Sequence, residues 1–162
     1  MSKSPGVIAP SHDDAQYDLV HVRPRRWEAG RPRTASLLQL DFEFEGSSLS
    51  LEAARARRRA VDRLGITALI VPARYRTAGI SLADAAQRAA DAARQAGPEL
   101  HPQPPRFHAD HPMFFTFLVP AGVPEGSTAR SASGLLVNVD KCDGHIWSDQ
   151  EMDEHFTLIG RW

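Results

Sequence analysis

The sequence predicts an α+β fold, with two helices packed on one face of a mixed, mainly antiparallel sheet. Residues 135–147 are typical of a strand, a tight Asp143-Gly144 turn and a second strand, because glycine supplies the positive φ that a short hairpin needs. Two alanine-rich segments with capping residues predict amphipathic helices, and each requires an apolar sheet face to cover it. We expect a flexible arm over residues 1–16 and a single α+β domain over residues 17–162.

The first half of the chain predicts a strand, a helix and a further strand after an initial strand over Tyr17–Val22. In the second strand, apolar residues at 38, 40, 42 and 44 alternate with polar ones, which places an acidic row on the outer face. Ser50 caps a helix that runs to Leu64 and ends at Gly65. The stripe expected to be buried on this helix consists of Ala53, Ala54, Ala56, Ala60, Val61 and Leu64. Thr67–Val71 then forms a strand, an order that allows a crossover unit.

The second half predicts a helix followed by antiparallel strands. Ser81 and Asp84 form a capping-box-like pair at the start of a helix that ends at Gly97-Pro98. Four prolines predict an extended linker over His101–Pro112. Met113–Val119 is apolar on both alternating faces and is expected to be a central strand. A short acidic helix follows the hairpin, starting at Asp149.

Composition narrows the classes of function. The chain of 162 residues has a formal net charge of -1, which argues against a dedicated nucleic-acid or membrane-surface binder. Its single cysteine, Cys142, forms no internal disulfide, and no signal peptide or membrane span is recognisable. These features favour a cytoplasmic protein, and we expect no cofactor.

The C-terminal half resembles a known family. The helix Ser81–Gln95, the strand Met113–Val119, a Gly/Ser loop, the hairpin Gly134–Ser148 and the acidic helix after it are similar to the small cystatin-like domain of YrhB type. The run Val139-Asp140-Lys141 followed by Asp143-Gly144 carries most of this resemblance. The family occurs among immunity proteins of bacterial toxin systems. The resemblance implies a protein that binds and blocks one cognate toxin without catalysis of its own.

Acidic side chains are the candidate partner-binding residues. They form one group on the second strand and another after the hairpin, and either group would complement a basic toxin surface. A charged row on an exposed strand also serves solubility alone. Trp27, in a basic loop, is a candidate exposed anchor. The acidic candidates are Asp41, Glu43, Glu45, Asp149, Glu151, Asp153 and Glu154.

The alternatives are a small-molecule-binding module or an unrecognised enzyme, and the sequence favours binding over catalysis. His101, His108 and His111, with Asp110, are ligand types that suit zinc or iron, although they lie in the proline-rich linker rather than at a fixed helical spacing. Cys142 and His145 lie close enough in sequence to be a nucleophile and base, but no third orienting group is evident.

Nucleic-acid binding is the remaining hypothesis. Arg55, Arg59 and Arg63 recur every four residues and would line one ridge of the first helix. Glu52 and Asp62 lie within one turn of these arginines, which favours a solvated helix face instead.

Overall fold

A computed structural model describes residues 16–24, 40–77, 79–96, 104–120 and 134–159. The predicted arm, except Gln16, lies outside the described residues, as do Trp27 and His101. The α+β class is confirmed by the helices and strands in the described ranges. In chain order these are β1 (Tyr17–Pro24), β2 (Leu40–Phe44), α1 (Leu51–Asp62), β3 (Ala68–Pro72), α2 (Leu82–Ala96), β4 (Arg106–Asp110), β5 (Phe114–Pro120), β6 (Gly134–Asp140) and α3 (Asp149–Ile159), with a 3₁₀ helix over Ala73–Arg76.

The strands form two antiparallel sheets. Sheet A has the order β2-β1-β3, and sheet B has the order β4-β5-β6. In sheet A, Val20 of β1 is opposite Phe44 on one side and opposite Leu69 on the other. Because β2 and β3 both run antiparallel to β1, α1 connects two parallel strands across β1. This is the crossover that the order of elements allowed.

The expectation of one mixed sheet is corrected to two sheets whose neighbouring strands are all antiparallel. The reason is that the strands of sheet A are apolar on both faces. The neighbours Leu19 and Val20 are both fully buried, and all five residues of β3 are buried. If helices covered only one face of sheet A, the apolar side chains of the other face would be exposed to water, so a second layer has to cover that face.

Three apolar clusters hold the layers together. The α1 helix covers one face of sheet A through Ala54 and Val61. The α2 helix covers one face of sheet B, where Ala85, Ala89 and Ala93 are buried against the strands as their small side chains predicted. The third cluster joins the other face of sheet A to β5 and α3, and we call it the central cluster. It consists of Val20, Leu69, Val71, Tyr75, Met113 and Phe114, with Trp147 and Met152 among the partly buried residues packed against it.

The α1 helix begins as the sequence predicted, ends at Asp62 rather than Leu64, and has a narrower buried stripe. The Ser50 hydroxyl accepts a hydrogen bond from the Ala53 N–H at 3.2 Å, and Gly65 follows the helix with φ of +73°. Of the predicted stripe, only Ala54 and Val61 are buried; Leu64 is 75% exposed. Ala53, Ala56 and Ala60 are exposed too. These four residues lie off the line of the helix that contacts β1 and β3.

The predicted linker over His101–Pro112 contains a strand, β4. Its five residues include no proline, so their backbone can pair with β5 along one edge. A register shift between Phe107 and Ala109 interrupts the pairing. β5 is the central strand of sheet B, as predicted.

The turn after β6 positions the start of α3. Gly144 has φ of +77°, as the Asp-Gly signal predicted. The returning segment pairs with β6 through a single bridge, between Val139 and Ile146. Trp147 follows this bridge, and α3 begins two residues later, at Asp149 as predicted, and runs to Ile159.

Candidate functional site

The α3 helix is fixed at its N-terminus by a capping box. The Ser148 hydroxyl accepts from the Glu151 N–H at 3.2 Å, while the Ser148 N–H donates to Glu151 Oε2 at 2.7 Å. This reciprocal pair satisfies two donors that a helix start leaves without partners. Asp149 and Glu151 in the first turn also oppose the positive end of the helix dipole. The acidic residues that the sequence singled out therefore define where the helix begins.

Three carboxylates of α3 face solvent. Asp149, Asp153 and Glu154 are exposed, and we call them the α3 acidic surface. The amide of Gln150 donates to Glu154 at 2.8 Å, which aligns that side chain along the helix. Glu151 is less exposed, and one of its oxygens lies 3.3 Å from His145 Nε2. The sequence between Lys141 and Arg161 contains no lysine or arginine, so the charged side chains of α3 itself are all acidic.

The opposite side of α3 is docked on the central cluster. Met152 packs against this cluster, and its sulfur lies 3.9 Å from the Asn138 amide nitrogen. His155, three residues further on, is only 6% exposed and meets the Trp147 ring edge to face at 5.4 Å. The Nε2 atom of His155 is buried and has no hydrogen-bond partner among the described residues. Burial and, to a smaller extent, the nearby Arg74 charge together lower the pKa of His155 to about 4.

Trp147 is in turn held by the buried carboxylate of Asp140. The indole N–H donates to Asp140 Oδ2 at 2.9 Å, and the Tyr75 hydroxyl donates to the same oxygen. The backbone N–H groups of Cys142 and Asp143 donate to Oδ1 at 2.7 and 3.2 Å. The Asp140 carboxylate therefore connects the 3₁₀ helix, the turn after β6 and Trp147, the residue on which α3 packs.

A second buried imidazole lies in the same region. His111 stacks on Phe114 with the ring centroids 4.2 Å apart, and its Nδ1 accepts from the Met113 N–H at 3.2 Å. Burial, together with the positive charges of a protonated His155 and of Lys141, lowers the pKa of His111 to about 3. Phe114 also contacts Trp147, at 5.5 Å between centroids. Both histidines are thus neutral members of an aromatic cluster at ordinary pH.

The acidic row of β2 lies on the other side of sheet A from α3. Phe42 and Phe44 of β2 point toward the central cluster, so Asp41, Glu43 and Glu45 occupy the face that α1 covers. Cations accompany this row. Glu43 lies 3.1 Å from Arg23. Glu45 Oε1 lies 2.6 Å from His21 Nε2 and 3.3 Å from Arg57.

The pKa of Glu45 reflects that pairing. Burial alone would raise the pKa, but the hydrogen bonds from His21 and Arg57 bring it below the usual value. The acidic row of β2 is therefore a paired strip with mixed charge. The two acidic groups that the sequence predicted are both present, but the fold does not join them into one surface.

The two described histidines of the predicted metal-ligand group, His108 and His111, lie in different environments. His108 is exposed on β4, whereas His111 is buried and hydrogen-bonded to backbone. Asp110, between them in chain order, is paired with Lys141 at 2.5 Å. In the described ranges, one group of three side chains is close enough to share a cation, and its members are Asp140, Asp143 and His145.

This group of three is already hydrogen-bonded internally. Both oxygens of Asp140 accept from the donors described above. Asp143 Oδ1 accepts from the His145 N–H at 2.9 Å and lies 2.6 Å from His145 Nδ1. A cation would have to displace these donors, so the geometry is that of a closed turn.

The Cys142 and His145 side chains do not face each other as a nucleophile and base would. The Cys142 sulfur lies 3.8 Å from the Arg74 carbonyl oxygen. Both ring nitrogens of His145 lie near carboxylates, those of Asp143 and Glu151.

Of the three arginines in the predicted ridge of α1, Arg55 and Arg59 line a common depression, and Arg63 is exposed but does not line it. Arg55, Arg58 and Arg59 line a shallow depression of about 270 Å³ together with Asp62 and Ile70. Arg57 turns to Glu45 instead. The acidic residue in the depression is one of the two that the sequence indicated as neutralising neighbours.

The sequence reasoning missed Asp140, Tyr75 and His155. For Asp140 a signal was present, since an aspartate at the end of a strand and just before a turn often accepts from the backbone two residues on. Tyr75 and His155 carry no local signal, because their neighbours in space are distant in sequence. Burial and the adjacent Asp140 carboxylate raise the pKa of the Tyr75 hydroxyl far above its usual range.

The chain matches no protein-family model, no curated protein and no solved structure at a significant level. Among the described segments there is no helix with the length and apolar character of a membrane span.

Proposed function

We propose that this protein acts by binding a basic protein partner, as an immunity or inhibitor protein that neutralises a bacterial toxin. The observation that carries the proposal is the α3 acidic surface. Its three exposed carboxylates stand on a helix whose other side packs on the core through Met152 and His155. Such a surface attracts a basic partner over a long range and orients it on approach.

The α3 acidic surface supports this role better than the acidic row of β2. The carboxylates of Glu43 and Glu45 already lie beside Arg23, His21 and Arg57, so a partner's cations would compete with them. On α3, three carboxylates are exposed side by side on one capped helix. We therefore place the contact on α3 and assign the β2 row to the stability of the α1 face.

The test is co-purification of the full chain with the product of the neighbouring gene in its genome, followed by measurement of affinity at two salt concentrations. The informative variant is the triple substitution D149N/D153N/E154Q. Exposed charge pairs contribute about 0.2–1 kcal/mol each, so three of them correspond to about 0.6–3 kcal/mol, and we expect the triple variant to weaken binding by about 3- to 160-fold and to reduce its dependence on salt.

The matched control is E43Q/E52Q/D62N, which changes the net charge by the same amount on the α1 side of the molecule. Far-ultraviolet circular dichroism confirms that both variants fold. Control and triple variant losing equal affinity would show that overall charge, and not α3, governs binding. A neighbouring gene that encodes an ordinary metabolic enzyme, with no complex formed, would contradict the proposal.

A further inference from the structure

Building on the proposed function, we propose that His155 is a proton-operated latch for α3. While its imidazole is neutral, α3 stays docked and presents the acidic surface; protonation releases the helix and removes the surface. The partner would then be bound near neutral pH and released in mild acid.

The latch rests first on where His155 lies. It is the α3 side chain that inserts toward Trp147, with 6% of its surface exposed and its ring perpendicular to the indole. Its Nε2 meets no acceptor within the described residues. A protonated imidazole carries an N–H on both nitrogens, so charging the ring in place would bury a positive charge and a donor without a partner.

In the described parts of the chain, the groups around His155 offer no ready compensation for a positive charge. From the 3₁₀ helix, Arg74 contributes a positive charge, and His111 interacts electrostatically with His155. The carboxylate of Asp140, beneath Trp147, already accepts from four donors, with the Tyr75 hydroxyl among them.

The other described charged groups near α3 either have hydrogen-bond or ion-pair partners of their own or face solvent. On α3 itself, Glu151 is bound by Ser148 and lies beside His145, while Asp149, Asp153 and Glu154 face solvent. At the far end of the cluster, Lys141 and Asp110 are paired with each other, and Asp143 is bonded to His145. Docking of α3 therefore disfavours the charged form of His155.

The sign of the pH effect follows from linkage. Burial lowers the pKa of His155 to about 4 in the docked state, whereas a solvated imidazole titrates near pH 6.5. The released state therefore binds the proton more readily, and docking loses stability as the pH falls from about 6.5 toward 4. At pH 5 the ratio of docked to released α3 should be about 30-fold lower than at pH 7.5.

The experiment is hydrogen exchange of the full chain between pH 7.5 and 4.5, corrected for the intrinsic pH dependence of exchange. Protection of α3 amides is compared with protection of α2 amides in the same molecule, which separates release of α3 from global unfolding. We expect α3 protection to fall about 30-fold by pH 5 relative to α2. In H155F, which keeps a ring but cannot be protonated, the ratio should not change with pH.

The matched control is H108Q, which removes an exposed histidine of β4 and should behave as the wild type does. The latch would be overturned if α3 protection in H155F fell with pH as it does in the wild type. It would also be overturned if α3 protection in the wild type did not depend on pH. If H155F does not fold, the His155 ring resonances of the wild-type protein decide the question by magnetic resonance. Titration below pH 5 supports the latch, and titration near 6.5 overturns it.

The exchange measurement needs no partner, so its outcome is independent of the proposed function. With the partner in hand, the wild type should lose affinity at pH 5 and H155F should retain it. Equal binding by both proteins at pH 5 would overturn the regulatory role of His155 while leaving the binding function intact.

Discussion

Replacing Asp140 with alanine should be among the most destabilising substitutions in this chain. The carboxylate is 1% exposed and accepts four hydrogen bonds. Its removal leaves the Tyr75 hydroxyl and the Trp147 indole N–H inside the protein without their acceptor. A buried donor that loses its partner costs about 1–3 kcal/mol, and bonds to a charged acceptor are at the upper end of that range. We therefore expect D140A to lower the free energy of unfolding by about 3–5 kcal/mol.

Asparagine at the same position isolates the role of the charge. Its amide oxygen can serve one pair of donors, but its NH₂ group then faces the other pair. The Tyr75 hydroxyl can rotate to accept from that group, whereas the Trp147 indole is a donor only. We expect D140N to cost about 1–3 kcal/mol because at least one donor remains unsatisfied. Combining it with Y75F should show an effect smaller than the sum of the two single substitutions.

The assay is equilibrium unfolding in urea, with the slope compared among variants so that a shift in midpoint reports stability. For a chain of this length, 1 kcal/mol corresponds to about 2–4 °C in Tm, so D140A should melt about 6–20 °C lower. D143A is the matched control, since that carboxylate is 68% exposed and its loss should cost under about 1 kcal/mol. A D140A variant within 1 kcal/mol of the wild type, or equal to D143A, would refute this account of Asp140.

Three further substitutions test the fold around the site. G144A should destabilise by about 1–2 kcal/mol, because φ is +77° there and the new methyl group would lie 2.5 Å from the Arg88 side chain; an unchanged urea midpoint would contradict this. Overpacking should make A89L cost about 1–3 kcal/mol, while A83L on the exposed side of α2 should be nearly neutral by the same measurement. Because the pKa of Tyr75 is raised, folded protein loses stability as the pH rises above about 10, where the unfolded chain ionises. The difference in tyrosinate absorbance between the wild type and Y75F, measured against pH, should therefore not rise until the protein unfolds. A rise while the protein is still folded would show that Tyr75 ionises in the folded state and would contradict the prediction.

Local chemistry was enough to predict most of the elements. Ser50 and Gly65 bracket the first helix as capping rules require, and Gly144 adopts the positive φ that its turn demands. The central position of β5 could be predicted as well, because apolar residues on both faces of a strand indicate cover on both sides. In each of these cases the deciding interaction lies within a few residues.

Predictions that required knowledge of distant neighbours were incomplete. The strand β4 was predicted as a linker because prolines surround it, and nothing in its own residues shows that β5 supplies a pairing edge. Leu64 was expected to be buried, but α1 meets sheet A along a line that does not include it. For the acidic residues, the sequence predicted their exposure on β2 and α3. It could not show that Glu45 is paired with Arg57.

The sequence by itself determined the α+β class, the helix starts and the tight turn, since each follows from hydrogen bonds and φ angles available within a short stretch of chain. Only the tertiary structure decided that the strands divide into two sheets, that α3 packs on Trp147 through His155, and that Asp140 holds Trp147 in place. Those features depend on burial shared between remote residues, such as Tyr75 and Asp140, which are 65 positions apart. Burial sets the cost of an unpaired polar group, and it exists only once the layers have packed together.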